Sequence, residues 1–330
     1  MPITYLEQQK QTIRSLGFND FIDYKDSHAT FQALDADNRC GVYCLAFDDV
    51  TFYIGQSVDI LNRLTQHKKE NNTITQFAFQ KVNKEHLAFT EEYAIKAADR
   101  KGIRLRNIMH VSNTAGYCKL DEIVDTDTQE KWLYQEKPSA ISEIHTRVAA
   151  FPDKEYPFKS KYSRLSRHPL YPKIIEIAQC YLRKCILAPS QTEKSFWSIS
   201  CLPNTTQGDL RRLFCFNINM METFVLFHSK QNNTDIYALI NVSKDHLFKY
   251  YVNEAQFKKT YKGCVLFKSN YRAAGDDQIT IEISQRETLF SLLNSPFFIH
   301  AAKTLNLRLM RKGKNIYSKY HCPQLADDIF

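Results

Sequence analysis

The chain has 330 residues, a formal net charge of +8, 43% hydrophobic and 24% charged residues. That composition belongs to soluble globular proteins and excludes a disordered or low-complexity chain, and no run of about 18 apolar residues offers a membrane span. The length suits two domains of roughly 100–200 residues each.

The excess of cations favours an anionic partner without naming one. Met1 to Lys10 lacks the basic-then-apolar layout of a signal peptide, so a cytoplasmic protein is expected. Nine cysteines occur at irregular spacing with no CxxC, so neither a disulfide framework nor a zinc site is expected.

In chain order, residues 1–35 read as a mostly polar helical extension, with Leu6, Ile13, Leu16 and Phe21 as an intermittent stripe broken at Gly17. Asp35–Arg39 reads as a turn. Gly41–Phe47 and Thr51–Gln56, separated by Asp48-Asp49-Val50, read as a β-hairpin. Ser57 or Asp59 can cap a helix over 58–70. Alternation in 76–82 predicts a third strand, and a second helix over 84–101 ends near Gly102. Residues 40–107 therefore form a small α/β unit, β-β-α-β-α, with a three-stranded antiparallel sheet.

Residues 111–172 read as a connecting region. Its end, 151–173, is rich in Pro, Lys, Arg and Tyr and reads as a linker or extended binding arm. A helix follows over 173–186. Residues 195–283 read as β-rich, with strands at Phe196–Ser200, Leu213–Ile218, Phe224–Phe227, Ile236–Val242, Cys264–Lys268 and Ile279–Ile283. Ser284 and Glu287 stand in capping-box spacing for a last helix. The expected fold is α+β: an extension over 1–35, a small module over 36–110, the connecting region, and a β-rich domain over 173–330.

Chemistry concentrates in the module. Tyr43 and Tyr53 lie on adjacent strands joined by a short turn, so their hydroxyls can approach. Arg63 and His67, four apart, share one helix face. A carboxylate follows at Glu91. Phenols, guanidinium, imidazole and one carboxylate are what phosphodiester cleavage requires, since charge on phosphate must be stabilised and a proton moved.

The series Gly41-Val42-Tyr43, nine intervening residues, Tyr53-Ile54-Gly55-Gln56-Ser57, then Arg63-Leu64-Thr65-Gln66-His67 resembles the GIY-YIG endonuclease superfamily. The resemblance covers residues 40–107, and Val42 stands for the named isoleucine. It implies that Tyr43 or Tyr53 acts as general base or positions water, with Tyr43 preferred and His67 a helper in proton transfer. It further implies that Gly55 permits close approach, that Arg63 contacts the scissile phosphate, and that Asn107 ends the module. Gly41 is the first motif's glycine. The metal-binding glutamate is Glu91, with Glu92 the alternative. A single carboxylate suits Mg²⁺, or Mn²⁺.

Such a module has little surface for choosing a site, so the remainder of the chain is expected to choose it. Lys159, Lys161, Arg164, Arg167 and Lys173 form one acid-free basic segment; Lys303, Arg308, Arg311, Lys312, Lys314 and Lys319 form another. Both are expected to face phosphates. The function implied is a metal-dependent DNA endonuclease of restriction or defence type, with a DNA-binding regulator or repair factor carrying a weak or inactive nuclease domain as the alternative. Because one active site cuts one strand, double-strand cleavage would take a homodimer or two encounters.

Overall fold

The computed structural model describes residues 4–24, 34, 39–134, 158–204, 206–232 and 234–330. The chain divides into two compact units, Met1–Tyr117 and Cys118–Phe330. Among the described residues, no helix is long and apolar enough to cross a membrane.

In the first unit, α1 is Tyr5–Arg14, β1 Ile22–Asp23, β2 Gly41–Phe47, β3 Phe52–Ser57, α2 Ile60–Glu70, β4 Ile74–Lys81 and α3 Leu87–Arg100. The sheet has four strands in the order β1-β4-β2-β3, with antiparallel pairing throughout. The expected three strands gain β1, whose Ile22 and Asp23 pair with Phe77 and Gln76. Two residues show no alternation, so the sequence pattern could not reveal it. Of the turn expected at 35–39, only Arg39 lies within the described residues.

Every residue of β2 is buried. Because strand side chains alternate, Val42, Cys44 and Ala46 face one way, where Ile54, Leu87, Ala94, Ile95 and Ala98 join them. Tyr43, Leu45 and Phe47 face the other way, against Ile60, Leu64 and Phe77. Helices α3 and α2 thus cover opposite faces. Ile13 and Phe18, from the segment preceding β2, enter the α3-side core. Asp59 caps α2 by accepting from the Asn62 amide at 3.1 Å.

The second unit has α4 Thr126–Tyr134, α5 Lys159–Ser166, α6 Tyr171–Cys185, α7 Pro189–Thr192, β5 Trp197–Cys201, β6 Thr206–Gln207, β7 Leu210–Ile218, β8 Met221–Ser229 and β9 Ile236–Val242. After these come α8 Lys244–Tyr250, α9 Glu254–Thr260, β10 Cys264–Phe267, β11 Ile279–Ile283, α10 Arg286–Asn294, α11 Pro296–Arg311 and α12 Pro323–Ile329. Six strands run antiparallel in the order β10-β11-β9-β8-β7-β5, with β6 paired to β7. One core joins Phe214, Phe224 and Ile240 of the sheet to Tyr181 and Leu182 of α6 and Phe298, Leu305 and Leu309 of α11.

Three expectations change here. Residues 159–166 form helix α5 instead of an extended arm, because Leu165 is buried in the core; the preceding 151–157 lie outside the described residues. The connecting region is partly core as well, since Leu120 and Val124 belong to the same cluster. Ser284 does not cap a helix: α10 starts from Gln285, and the Ser284 hydroxyl donates to the Gly263 carbonyl at 3.0 Å.

Candidate active site

Tyr43 on β2 is directly opposite Gly55 on β3, and Tyr53 is two residues before Gly55 on the same strand. The period of two therefore puts both phenols and the glycine on the face covered by α2. A Cβ at Gly55 would lie 2.6 Å from Tyr43 Oη and 2.9 Å from Tyr53 Cε1. Only a residue without a side chain lets the two phenols sit there. Gly41 serves the sheet instead. Its Cβ would lie 2.1 Å from the Gln80 carbonyl oxygen, so the glycine allows β2 and β4 to close.

Helix α2 brings Arg63 and His67 over this face. Tyr43 Oη lies 2.9 Å from His67 Nε2, and Arg63 Nε donates to the same oxygen at 3.2 Å. The His67 ring stands 5.7 Å from each tyrosine ring, centroid to centroid. Gln66 accepts from Arg63 Nη1 at 2.9 Å and steadies the guanidinium.

Burial pushes the Tyr43 phenol well above its ordinary range, although the Arg63 hydrogen bond opposes the shift. Burial also raises Tyr53, with a further rise from the Glu91 carboxylate. Both phenols are thus neutral at ordinary pH. Burial thus opposes a free phenolate at Tyr43, so a proton accepted by its oxygen must be matched by release of its own. With Arg63 donating to its oxygen, its own proton is directed at His67 Nε2 when His67 carries its proton on Nδ1.

Glu91 on α3 raises both phenols and is itself raised by burial, against hydrogen bonds from the Gln56 side chain and backbone. Glu92 is turned to other partners, Lys96 at 2.7 Å and His110 Nδ1 at 3.6 Å. Glu91 is thus the carboxylate beside the tyrosines. Gln56 follows the motif glycine directly; that adjacency was the one signal for its part in the site.

No group of three or more His, Cys, Asp or Glu residues that could hold a metal ion occurs among the described residues. A hard divalent cation such as Mg²⁺ does not require one, because it keeps several waters and takes phosphate oxygens. Glu91 fits that role: it is an oxygen donor, half-buried, whose burial is only partly offset by hydrogen bonds from Gln56.

Asn107 does not join this cluster. It is buried, its Oδ1 accepting from the Ile54 amide at 3.0 Å and its Nδ2 donating to the Ile54 carbonyl at 2.7 Å. Its amide thus clamps the outer edge of β3, beside the Phe52–Leu105 bridge.

The basic segments divide. On α5 and just after it, Lys159, Arg164 and Arg167 are exposed, while Lys161 donates to Asn204 at 3.1 Å and Lys173 pairs with Glu176 at 2.7 Å. The second segment is not the open basic stripe expected. Arg308 is paired with the buried Asp277, Arg311 with Asp121 at 2.7 Å, and Lys303 and Lys312 are buried with their ammonium groups on the Trp132 and Ala273 carbonyls. These cations lie on α11 and at its end, packed against the core. Lys314 and Lys319 are exposed. Comparison with protein-family models, curated proteins and solved structures finds no match.

Proposed function

We propose that this protein is a metal-dependent DNA endonuclease whose chemistry resides in the first unit, with the second unit selecting the target. The observation that supports the reading most is the meeting of Tyr43, Tyr53, Arg63 and His67 on one face of the sheet, with the Glu91 carboxylate acting on both phenols. Arg63 holds the charge of the scissile phosphate. Tyr43, kept neutral by burial, takes a proton from the attacking water while passing its own to His67. Tyr53 walls the other side of the imidazole. Glu91 would hold Mg²⁺ or Mn²⁺, which supplies Lewis-acid stabilisation to the phosphate oxygens. Lys159, Arg164 and Arg167 are the exposed cations best suited to the DNA backbone.

The test is nicking of supercoiled plasmid by the full chain with and without Mg²⁺. Mg²⁺-dependent nicking that Arg63→Ala and Glu91→Ala abolish supports the proposal. Nicking that Arg63→Ala leaves unchanged overturns it. DNA binding without nicking would instead favour a regulator with an inactive site. Sedimentation with and without DNA would show whether the chain acts as a homodimer.

A further inference from the structure

The second unit holds a cavity of about 230 Å³ between the end of α4, the end of α8 and the start of α11. Its walls include Tyr134, Tyr250, Phe297 and His300, with Lys303 beside them. Tyr250 and Phe297 are stacked, 4.3 Å apart at 27°, yet are 43% and 45% exposed. Tyr134, tilted over His300 at 5.6 Å, is 66% exposed. Large aromatic rings are normally covered, and three left open around one hollow form a surface for a flat partner.

The polar groups narrow the choice. His300 Nδ1 lies 3.2 Å from the Leu133 carbonyl, which can only accept, so the proton is on Nδ1 and Nε2 keeps its lone pair. Burial and the nearby Lys303 and Lys249 hold this imidazole neutral. His300 lines the pocket, which therefore combines an imidazole able to accept from a ligand N–H with aromatic faces. The exposed Lys249 adds positive charge beside the pocket, which disfavours a quaternary ammonium and suits a group carried on phosphate. Lys249 is exposed, next in sequence to Tyr250.

We infer that this pocket receives one unpaired nucleobase, stacked on Tyr250, Phe297 or Tyr134, with His300 Nε2 accepting from a ring or amino N–H and Lys249 near the backbone phosphate. The inference rests on the pocket, and it deepens the nuclease proposal by naming an unstacked base as something the second unit reads.

The experiment uses the full chain with Arg63→Ala, without divalent cation, and a single-stranded oligonucleotide containing 2-aminopurine as the probe. Saturable quenching is expected, with affinity about 5- to 150-fold weaker in Tyr250→Ala and in Phe297→Ala. Tyr250→Phe and Phe297→Trp keep the stacking surface and should bind like the parent, which separates loss of stacking from loss of fold. His300→Phe should flatten any preference among the four bases. Absence of quenching, or equal affinity in the alanine variants, overturns the inference; a pocket for an apolar peptide side chain would give that result. Quenching with no plasmid nicking by the unmodified chain would leave the pocket standing and remove the nuclease reading. Nicking without quenching would do the reverse.

Discussion

The Tyr43 hydroxyl and His67 Nε2 lie 2.9 Å apart, with the phenol supplied by a strand and the imidazole by the helix above it. Tyr43→Phe keeps the buried ring and removes this link together with the Arg63 Nε hydrogen bond to the same oxygen, so the fold should persist while cleavage falls about 10²- to 10⁴-fold. Circular dichroism and plasmid nicking on the same preparation check both halves. His67→Ala should lower cleavage to a similar extent, because the phenol then lacks its proton acceptor, while Tyr53→Phe should lower it less.

Gly55→Ala should be an activity variant more than a stability variant. The new methyl would sit 2.6 Å from Tyr43 Oη, so the phenol must move away from Arg63 and His67. A displacement of that order costs about 100-fold in rate. Single-turnover cleavage beside a thermal melt measures it; unchanged cleavage would show that the Tyr43 position is immaterial.

Glu91 has a pH signature with a definite sign. Burial raises its folded pKa above the reference 4.5, so the folded state holds the proton over a range where the unfolded chain has lost it. Stability from this group is greatest below that range and falls as pH climbs through it. Glu91→Gln should therefore melt higher than the parent at neutral pH, with the difference vanishing below pH ~4. Mg²⁺ should raise the melting temperature of the parent and not of Glu91→Gln. A Glu91→Gln variant that melts lower at neutral pH would remove this account.

Asn107→Ala should act through stability. It strands the amide and carbonyl of Ile54, each costing about 1–3 kcal/mol if left without a partner. Denaturant titration should show the loss, and cleavage should fall only in step with the folded fraction.

The cations divide into two classes that mutagenesis can separate. Lys159→Glu, Arg164→Glu and Arg167→Glu should weaken DNA binding and flatten its salt dependence with little change in melting. Arg308→Ala leaves Asp277 buried without its cation and should cost about 3–5 kcal/mol. A normal melt for Arg308→Ala would return that residue to the surface class.

Strands β2, β9 and β11 were legible because branched and aromatic residues fill short runs between polar flanks. The candidate site was legible where chemistry and spacing coincide, in that Tyr43, Tyr53, Arg63, His67 and Glu91 were expected near one another and lie together. What failed depends on contacts distant in sequence. Charge alone made Lys303, Arg308, Arg311 and Lys312 look like a surface patch; it does not report that α11 packs on the core and that carbonyls and carboxylates occupy those cations. Nor could the sequence tell that Asn107 serves the backbone of Ile54, 53 residues earlier.

That clamp also orders events during synthesis. The strand carrying Tyr53 emerges from the ribosome with Ile54 standing 53 residues before the residue that closes its outer edge. Until Asn107 and the neighbouring Arg104–Arg106 segment arrive, the Phe52 and Ile54 backbone groups bonded to them in the finished fold have only water for partners. Strand β3 is thus completed by the end of its own module, and a nascent chain stopped short of Asn107 would carry the motif residues on an edge still open to other strands.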